Sequence, residues 1–263
     1  MSLKFALIYV PPQAEMPSVQ LQTRINIEIH PVYLAICEAR PAKPSGRAKT
    51  RSQRAEGAKF QMTKVKICGI KNLSDARFAV DYGADAIGFV FAESIRNVSK
   101  EKARAIVQKL PPFVTTVGLF VNDTAETIEA ICRFCGLDAI QLHGNERPSL
   151  LNKLKDFKTI KAFRIRNEED ILPIKKYKPD AILLDGYSEN KMGGTGTSFD
   201  WKIAKKIKTL VPIILAGGLT HLNVSQAIKI VNPYAVDVSS GVESKPGKKD
   251  RKLIKRFIDA VKG

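Results

Sequence analysis

From Lys64 onward, short apolar runs alternate with stretches whose apolar residues recur at helical spacing. Lys64-Val-Lys-Ile-Cys68 alternates apolar and polar positions, as a half-buried strand does. Gly69 follows and can turn the chain. Asn72 or Ser74 can then cap a helix through Tyr82 to Gly83. Seven further strands are predicted over 85–91, 114–121, 139–143, 159–165, 181–185, 211–216 and 235–239. Between them the periodicity predicts helices from Ser99 towards Leu110, from Asp123 or Thr124 to Cys135, over 146–154, 168–177, from Asp200, and over 222–231. A last helix runs over 250–261. Eight strand–helix units in about 200 residues is the lower size for a (β/α)8 barrel, and near-continuous apolar strands suit a parallel sheet buried on both faces. The expected fold is α/β, a single (β/α)8 TIM barrel over 62–263. The competing architecture, an open doubly wound sheet, lacks its G-x-G-x-x-G after the first strand.

Residues 1–61 break this pattern. The stretch from Arg40 to Arg54 is basic, rich in Pro, Gly and Ser, and nearly free of apolar residues. Such composition cannot bury a core. The expectation is a poorly ordered N-terminal extension, disordered or upstream of a true start at Met62.

Among 263 residues there are four cysteines and no disulfide-rich framework, so a reducing cytoplasm is the expected compartment. No apolar run approaches the roughly 18–20 residues of a membrane span. The formal charge of +17 raises nucleic-acid binding as an alternative role, carried by the 40–54 arm. However, the lysines are spread along predicted helix faces, which favours solubility and steering of an anionic substrate. The expected partner is therefore a small phosphosugar, with no nucleic acid and no membrane. Cys132 and Cys135 form a CxxC, but inside a helical pattern and with no second pair to complete a zinc site. No metal and no cofactor are expected, and both thiols are assigned to the core. Trp201 reads as a packing residue.

In a barrel the chemistry lies at the carboxyl ends of the strands. Those ends hold Cys68, the loop 91–96, Asn122, Gln141 and His143, Arg164, Asp185, and three glycine-rich turns at 193–196, 216–219 and 239–242. Glycine lets backbone N–H groups approach phosphate oxygens closely, and loops after late barrel strands commonly form a phosphate site. Cys68 is expected to be exposed at a strand-to-helix corner, near a helix amino terminus whose dipole favours thiolate. The alternative is a small buried hydrophobe. Asp185 ends an apolar strand, where partial desolvation would suit it to proton donation. A substrate between the two could lose a proton to one and gain a proton at the other. His143 is a possible substrate contact or a hydrogen-bonded rim residue.

These residues, in this order, resemble the phosphoribosylanthranilate isomerase family of tryptophan synthesis. The resemblance is carried by Lys66-Ile-Cys-Gly-Ile70, Gln141-Leu-His-Gly144, Leu183-Leu-Asp185, Gly193-Gly-Thr-Gly-Thr-Ser-Phe-Asp-Trp201, Ala216-Gly-Gly-Leu219 and Val236-Asp-Val-Ser-Ser-Gly-Val-Glu243. It implies an Amadori rearrangement of N-(5-phosphoribosyl)anthranilate to 1-(2-carboxyphenylamino)-1-deoxyribulose 5-phosphate. Cys68 would be the general base and Asp185 the general acid. Arg96 would pair with the substrate carboxylate, and Gly194, Gly196, Gly217, Gly218, Ser240 and Gly241 would hold the phosphate. The other readings are a different phosphosugar barrel isomerase of histidine or tryptophan synthesis and the basic nucleic-acid binder.

Overall fold

Strand β1 (Lys64–Cys68) pairs in parallel with β2 (Ala86–Val90), and the ladder continues through β3 (Thr115–Phe120), β4 (Ala139–Leu142), β5 (Lys158–Ile165), β6 (Ala181–Gly186), β7 (Ile213–Leu215) and β8 (Ala235–Val238). Strand β8 then pairs with β1, with Lys66 opposite Asp237, and closes the barrel. This computed structural model describes residues 62–186, 200–207 and 209–263. The expected N-terminal extension and the first glycine-rich turn, with Gly194 and Gly196, lie outside the described residues.

The outer layer contains helices α1 (Leu73–Asp81), α2 (Lys100–Val107), α3 (Ala125–Cys135), α4 (Ser149–Lys153), α5 (Trp201–Lys205), α6 (Val224–Val231) and α7 (Arg251–Lys262). Their starts are set locally. The side chains of Asn72, Ser99, Thr124, Asp200 and Asp250 each accept a backbone N–H from the first turn of α1, α2, α3, α5 and α7. After β5 the expected helix is a 3-10 helix over Glu168–Lys176, begun by an Asn167–Asp170 capping box and carrying Pro173 inside it. Proline removes an amide donor and obstructs the preceding turn, which opposes a regular α-helix there. The pattern also gives no warning of the hairpin β9 (Glu243–Lys245) and β10 (Lys248–Lys249) that leads into α7.

Alternation along each strand splits the core in two. Residues facing out, such as Ile67, Phe89, Ile140, Leu184 and Val236, pack under the helices. Residues facing in form a smaller cluster of Val117, Ala139, Ile160, Ala162, Leu183, Ile214, Ala216 and Ala235. An eight-stranded ring leaves room for only short side chains at its centre. Cys132 and Cys135 are buried on α3, as their spacing predicts, and Trp201 is buried too. Phe120 is fully buried and stacks on Phe91 at 5.2 Å between ring centroids. Phe120→Ala should cost about 3–5 kcal/mol. Urea unfolding checks this: the midpoint should fall with little change in slope.

Candidate active site

Extending the inward alternation to the carboxyl ends of the strands places polar groups on the same face. Cys68 lies two residues beyond Lys66 on β1, and Asp185 two beyond Leu183 on β6. Gln141 is two beyond Ala139, Arg164 two beyond Ala162, and Ser239 two beyond Asp237. One mouth of the barrel therefore holds Cys68, Gln141, His143, Arg164, Asp185 and Ser239.

Asp185 is 28% exposed, and its Oδ2 lies 3.1 Å from His143 Nε2. His143 Nδ1 lies 2.9 Å from the side-chain nitrogen of the fully buried Gln141. With that amide donating to Nδ1, Nε2 carries the ring proton and donates to Asp185. His143 is thus a hydrogen-bonded partner of the carboxylate. Behind it, the Glu146 carboxylate accepts backbone N–H groups of Asn122 and Gly144 and pairs with buried Lys161 at 2.8 Å. This fixes the loops after β3 and β4. A cavity of about 440 Å³ opens beside the cluster, lined by His143, Lys161, Phe163, Arg164 and Tyr177 among others.

Cys68 corrects an expectation. It is only 5% exposed, so it is not an open corner thiol. Burial pushes its thiol above the ordinary value, and Asp237 adds to this, while Lys66 and Lys249 oppose it. The helix-dipole argument fails because α1 begins at Leu73, beyond a turn through Gly69. Lys66 Nζ is 2.8 Å from Asp237 Oδ2, with both side chains buried. Although burial disfavours the ammonium, Asp237 and Cys68 together hold the Lys66 pKa above its usual value.

Arg96 enters from the loop after β2 with its fork occupied. Its Nε and Nη2 each donate at 2.8 Å to Glu243, whose side chain is 3% exposed. Lys249 Nζ binds Glu243 at 2.9 Å and the Ser239 carbonyl at 2.9 Å. Glu93, in the same loop as Arg96, is exposed. The Arg96–Glu243 pair was not foreseen. The one available signal was that Glu243 closes the Val236–Glu243 motif, which begins on β8, the strand next to β1.

Gly217 and Gly218 both take left-handed backbone, at φ +80° and +65°. A Cβ on Gly217 would lie 2.0 Å from the Gly186 amide nitrogen and 2.7 Å from Asp185 Oδ1. A Cβ on Gly241 would lie 1.9 Å from the Leu219 carbonyl oxygen. The turns after β7 and β8 thus press against each other and against the end of β6, at the Asp185 side of the mouth. Ser240 and Gly241 sit in a 3-10 turn over Ser240–Val242.

The fold and this mouth are those of a (β/α)8-barrel enzyme. The family model for N-(5'phosphoribosyl)anthranilate (PRA) isomerase matches residues 65–260. An N-(5'-phosphoribosyl)anthranilate isomerase of Pelobacter propionicus is 51% identical over 202 residues, which are 76% of this chain and 96% of that protein. The phosphoribosyl anthranilate isomerase of Thermotoga maritima has a crystal structure 45% identical to this chain, with a TM-score of 0.70, covering 77% of this chain and all of its own. A further isomerase structure, in complex with reduced 1-(o-carboxyphenylamino)-1-deoxyribulose 5-phosphate, is 44% identical, with a TM-score of 0.67, over 77% of this chain and 100% of its own. The chain belongs to the N-(5'-phosphoribosyl)anthranilate isomerase family, the isomerases of this step in tryptophan synthesis. Among the described residues no helix is long and apolar enough to cross a membrane, and no group of three or more His, Cys, Asp or Glu could hold a metal ion.

The Glu243 carboxyl is held down to about 2 from an ordinary 4.5. Burial alone would raise it, but the bonds from Arg96, Lys249 and the Gly247 amide outweigh that. A folded-state value below the unfolded one contributes stability above pH ~4.5 that is lost as pH falls towards ~2. The contribution at neutral pH is about 3 kcal/mol. Unfolding free energies measured across this range should fall more steeply for the native chain than for Glu243→Gln.

Proposed function

We propose that the barrel carries out the Amadori rearrangement of N-(5-phosphoribosyl)anthranilate to 1-(2-carboxyphenylamino)-1-deoxyribulose 5-phosphate. The observation that carries this reading is the inward placement of Cys68 and Asp185 at the same end of one barrel, within a chain of this family. Asp185 protonates the furanose ring oxygen, the C1–O bond breaks, and an iminium forms. The iminium acidifies the C2–H bond. The Cys68 thiolate takes that proton, and the C–H electron pair moves to neutralise the iminium. The resulting enolamine tautomerises to the ketone.

The His143 bond at 3.1 Å supports the acid role of Asp185, because a held carboxyl can be aimed at one oxygen. Its 28% exposure leaves access for substrate. The base is more enclosed, which suits proton abstraction from carbon once substrate has displaced water from the mouth. Arg96 uses Nε and Nη2 on Glu243, so its Nη1 edge is the one offered to the substrate carboxylate. The phosphate rests on Gly217, Gly218, Ser240 and Gly241; the family resemblance assigns it to Gly194 and Gly196 as well, which lie outside the described residues. The left-handed backbone at Gly217 and Gly218 supports this, although tight packing by itself already requires glycine at 217 and 241.

Following the disappearance of phosphoribosylanthranilate fluorescence with purified protein tests the reaction; no acceleration over the uncatalysed background overturns it. Cys68→Ser and Asp185→Asn should each lower kcat by about 10²–10⁴-fold with the circular dichroism unchanged. A near-native kcat in either removes that residue from its role. Arg96→Ala should mainly raise KM, by roughly 10- to 150-fold if a charged hydrogen bond of about 1.5–3 kcal/mol is lost. An unchanged KM takes the carboxylate contact away from Arg96.

A further inference from the structure

The base assigned to Cys68 has a difficulty of its own. A thiol enclosed in a barrel is held protonated by burial, and a protonated thiol takes no proton from carbon. The enclosure, however, includes a cation with no exposed outlet. Lys66 and Cys68 are two residues apart on β1, so both project into the barrel, and Lys66 Nζ is bound to Asp237 Oδ2 at 2.8 Å. Gly88, opposite Cys68 on β2, provides the space. A Cβ there would lie 2.9 Å from Cys68 Sγ and 3.1 Å from Lys66 Cε, so the thiol and the lysine stem fill the same gap. The other Asp237 oxygen, Oδ1, is buried without a hydrogen-bond partner.

Resting on the reading of Cys68 as base, we propose that Lys66, anchored by Asp237, is a positioning residue whose ammonium stabilises the Cys68 thiolate. A buried ion pair is a poor device for stability, because an apolar pair of similar volume usually does as well. Its placement against the thiol is what a structural role leaves unexplained. The charges that face Cys68 come from three other elements as well: Asp237 on β8, Lys249 on β10 and Arg96 in the loop after β2. Asp237 opposes thiolate formation. Lys249 and Arg96 favour it, but both are tied to Glu243, which leaves Lys66 as the cation that shares the Gly88 gap with the thiol. In the cycle, the ammonium keeps its proton throughout. The thiolate gains the C2 proton and becomes a thiol while the C–H electron pair passes to the iminium, so Lys66 changes no covalent bond.

The test is the ultraviolet absorbance of the thiolate, titrated against pH and taken as the difference from Cys68→Ser. In Lys66→Met the midpoint should rise by at least one pH unit, about tenfold in thiolate at neutral pH. The rising limb of kcat/KM against pH should move up with it. Lys66→Arg, which keeps the charge, should restore both most of the way. Since Lys66→Met leaves Asp237 buried without its partner, the pairing of Lys66→Met with Asp237→Leu serves as the second variant, in which both charges are removed. A midpoint unmoved in folded Lys66→Met overturns the inference, whatever its turnover. Because Asp237 and Lys66 act on the thiol with opposite sign, the double variant is read against Asp237→Leu alone, and a midpoint no higher than in that variant overturns it too. A midpoint that moves while kcat/KM does not also overturns it, because the ammonium would then act on a thiol outside the reaction. Failure of the base reading itself is seen separately, as full activity in Cys68→Ser while the thiolate midpoint still rises in Lys66→Met.

Discussion

A ring of parallel strands has no stable edge until its last strand finds its first. Here that seam is the β1–β8 pairing, with Lys64 against Ala235, Lys66 against Asp237 and Ile67 against Val238. The register matters because side chains alternate along a strand. A slip of β1 by one residue would turn Lys66 and Cys68 outward under the helices, bring Ile67 inward and leave Asp237 facing in without its partner. The 2.8 Å Lys66–Asp237 contact favours one register, since any other leaves a buried charge unpaired. The seam therefore decides both that the barrel closes and which way its thiol faces.

Buried charge in this protein follows the mouth. Lys66–Asp237 lies just beneath it, Lys249–Glu243–Arg96 stands along the β8 side, and Lys161–Glu146 braces the loops after β3 and β4. The inner cluster below is apolar and small. Dehydrated ions gain their stability only when every partner is in place, so such networks are rigid where they are complete. Glu243 illustrates this: it accepts Arg96, Lys249 and the Gly247 amide, and so ties the loop after β2 to the hairpin after β8. Among the described residues the complete networks thus form a rigid frame around the mouth.

The barrel was legible because its signals are local and repeated. Apolar runs recur with period two, and the caps at Asn72, Ser99, Thr124, Asp200 and Asp250 are named by single side chains. The positions of Cys68 and Asp185 at strand ends follow from the same periodicity. What was not legible depends on contacts far apart in sequence. Cys68 was expected to be exposed, but it is buried in the gap that Gly88 leaves on the neighbouring strand, 20 positions on, and meets the charge of Asp237 from β8. Arg96 was assigned to the substrate carboxylate with no protein partner foreseen, and Glu243, which also binds it, lies 147 positions away. Pattern predicts where a strand ends; it does not say what the neighbouring loop will bring to that end. The 3-10 helix over Glu168–Lys176 is different, since Pro173 was visible and its effect on helical geometry is local.

The two proposed proton-transfer groups sit in unlike surroundings on the same face. Asp185 is partly open, held by a histidine that is itself held by a buried glutamine. Cys68 is enclosed, with ammonium groups of two lysines within electrostatic reach. An acid that donates to a ring oxygen must be loaded with a proton before each turnover, and contact with water through the mouth allows that. A base that removes a proton from carbon must hold a negative charge away from water, where only fixed cations can offset it. Exposure for the one and enclosure beside a cation for the other are therefore consistent requirements of a single reaction. A barrel meets them by setting strand ends at different depths around one ring.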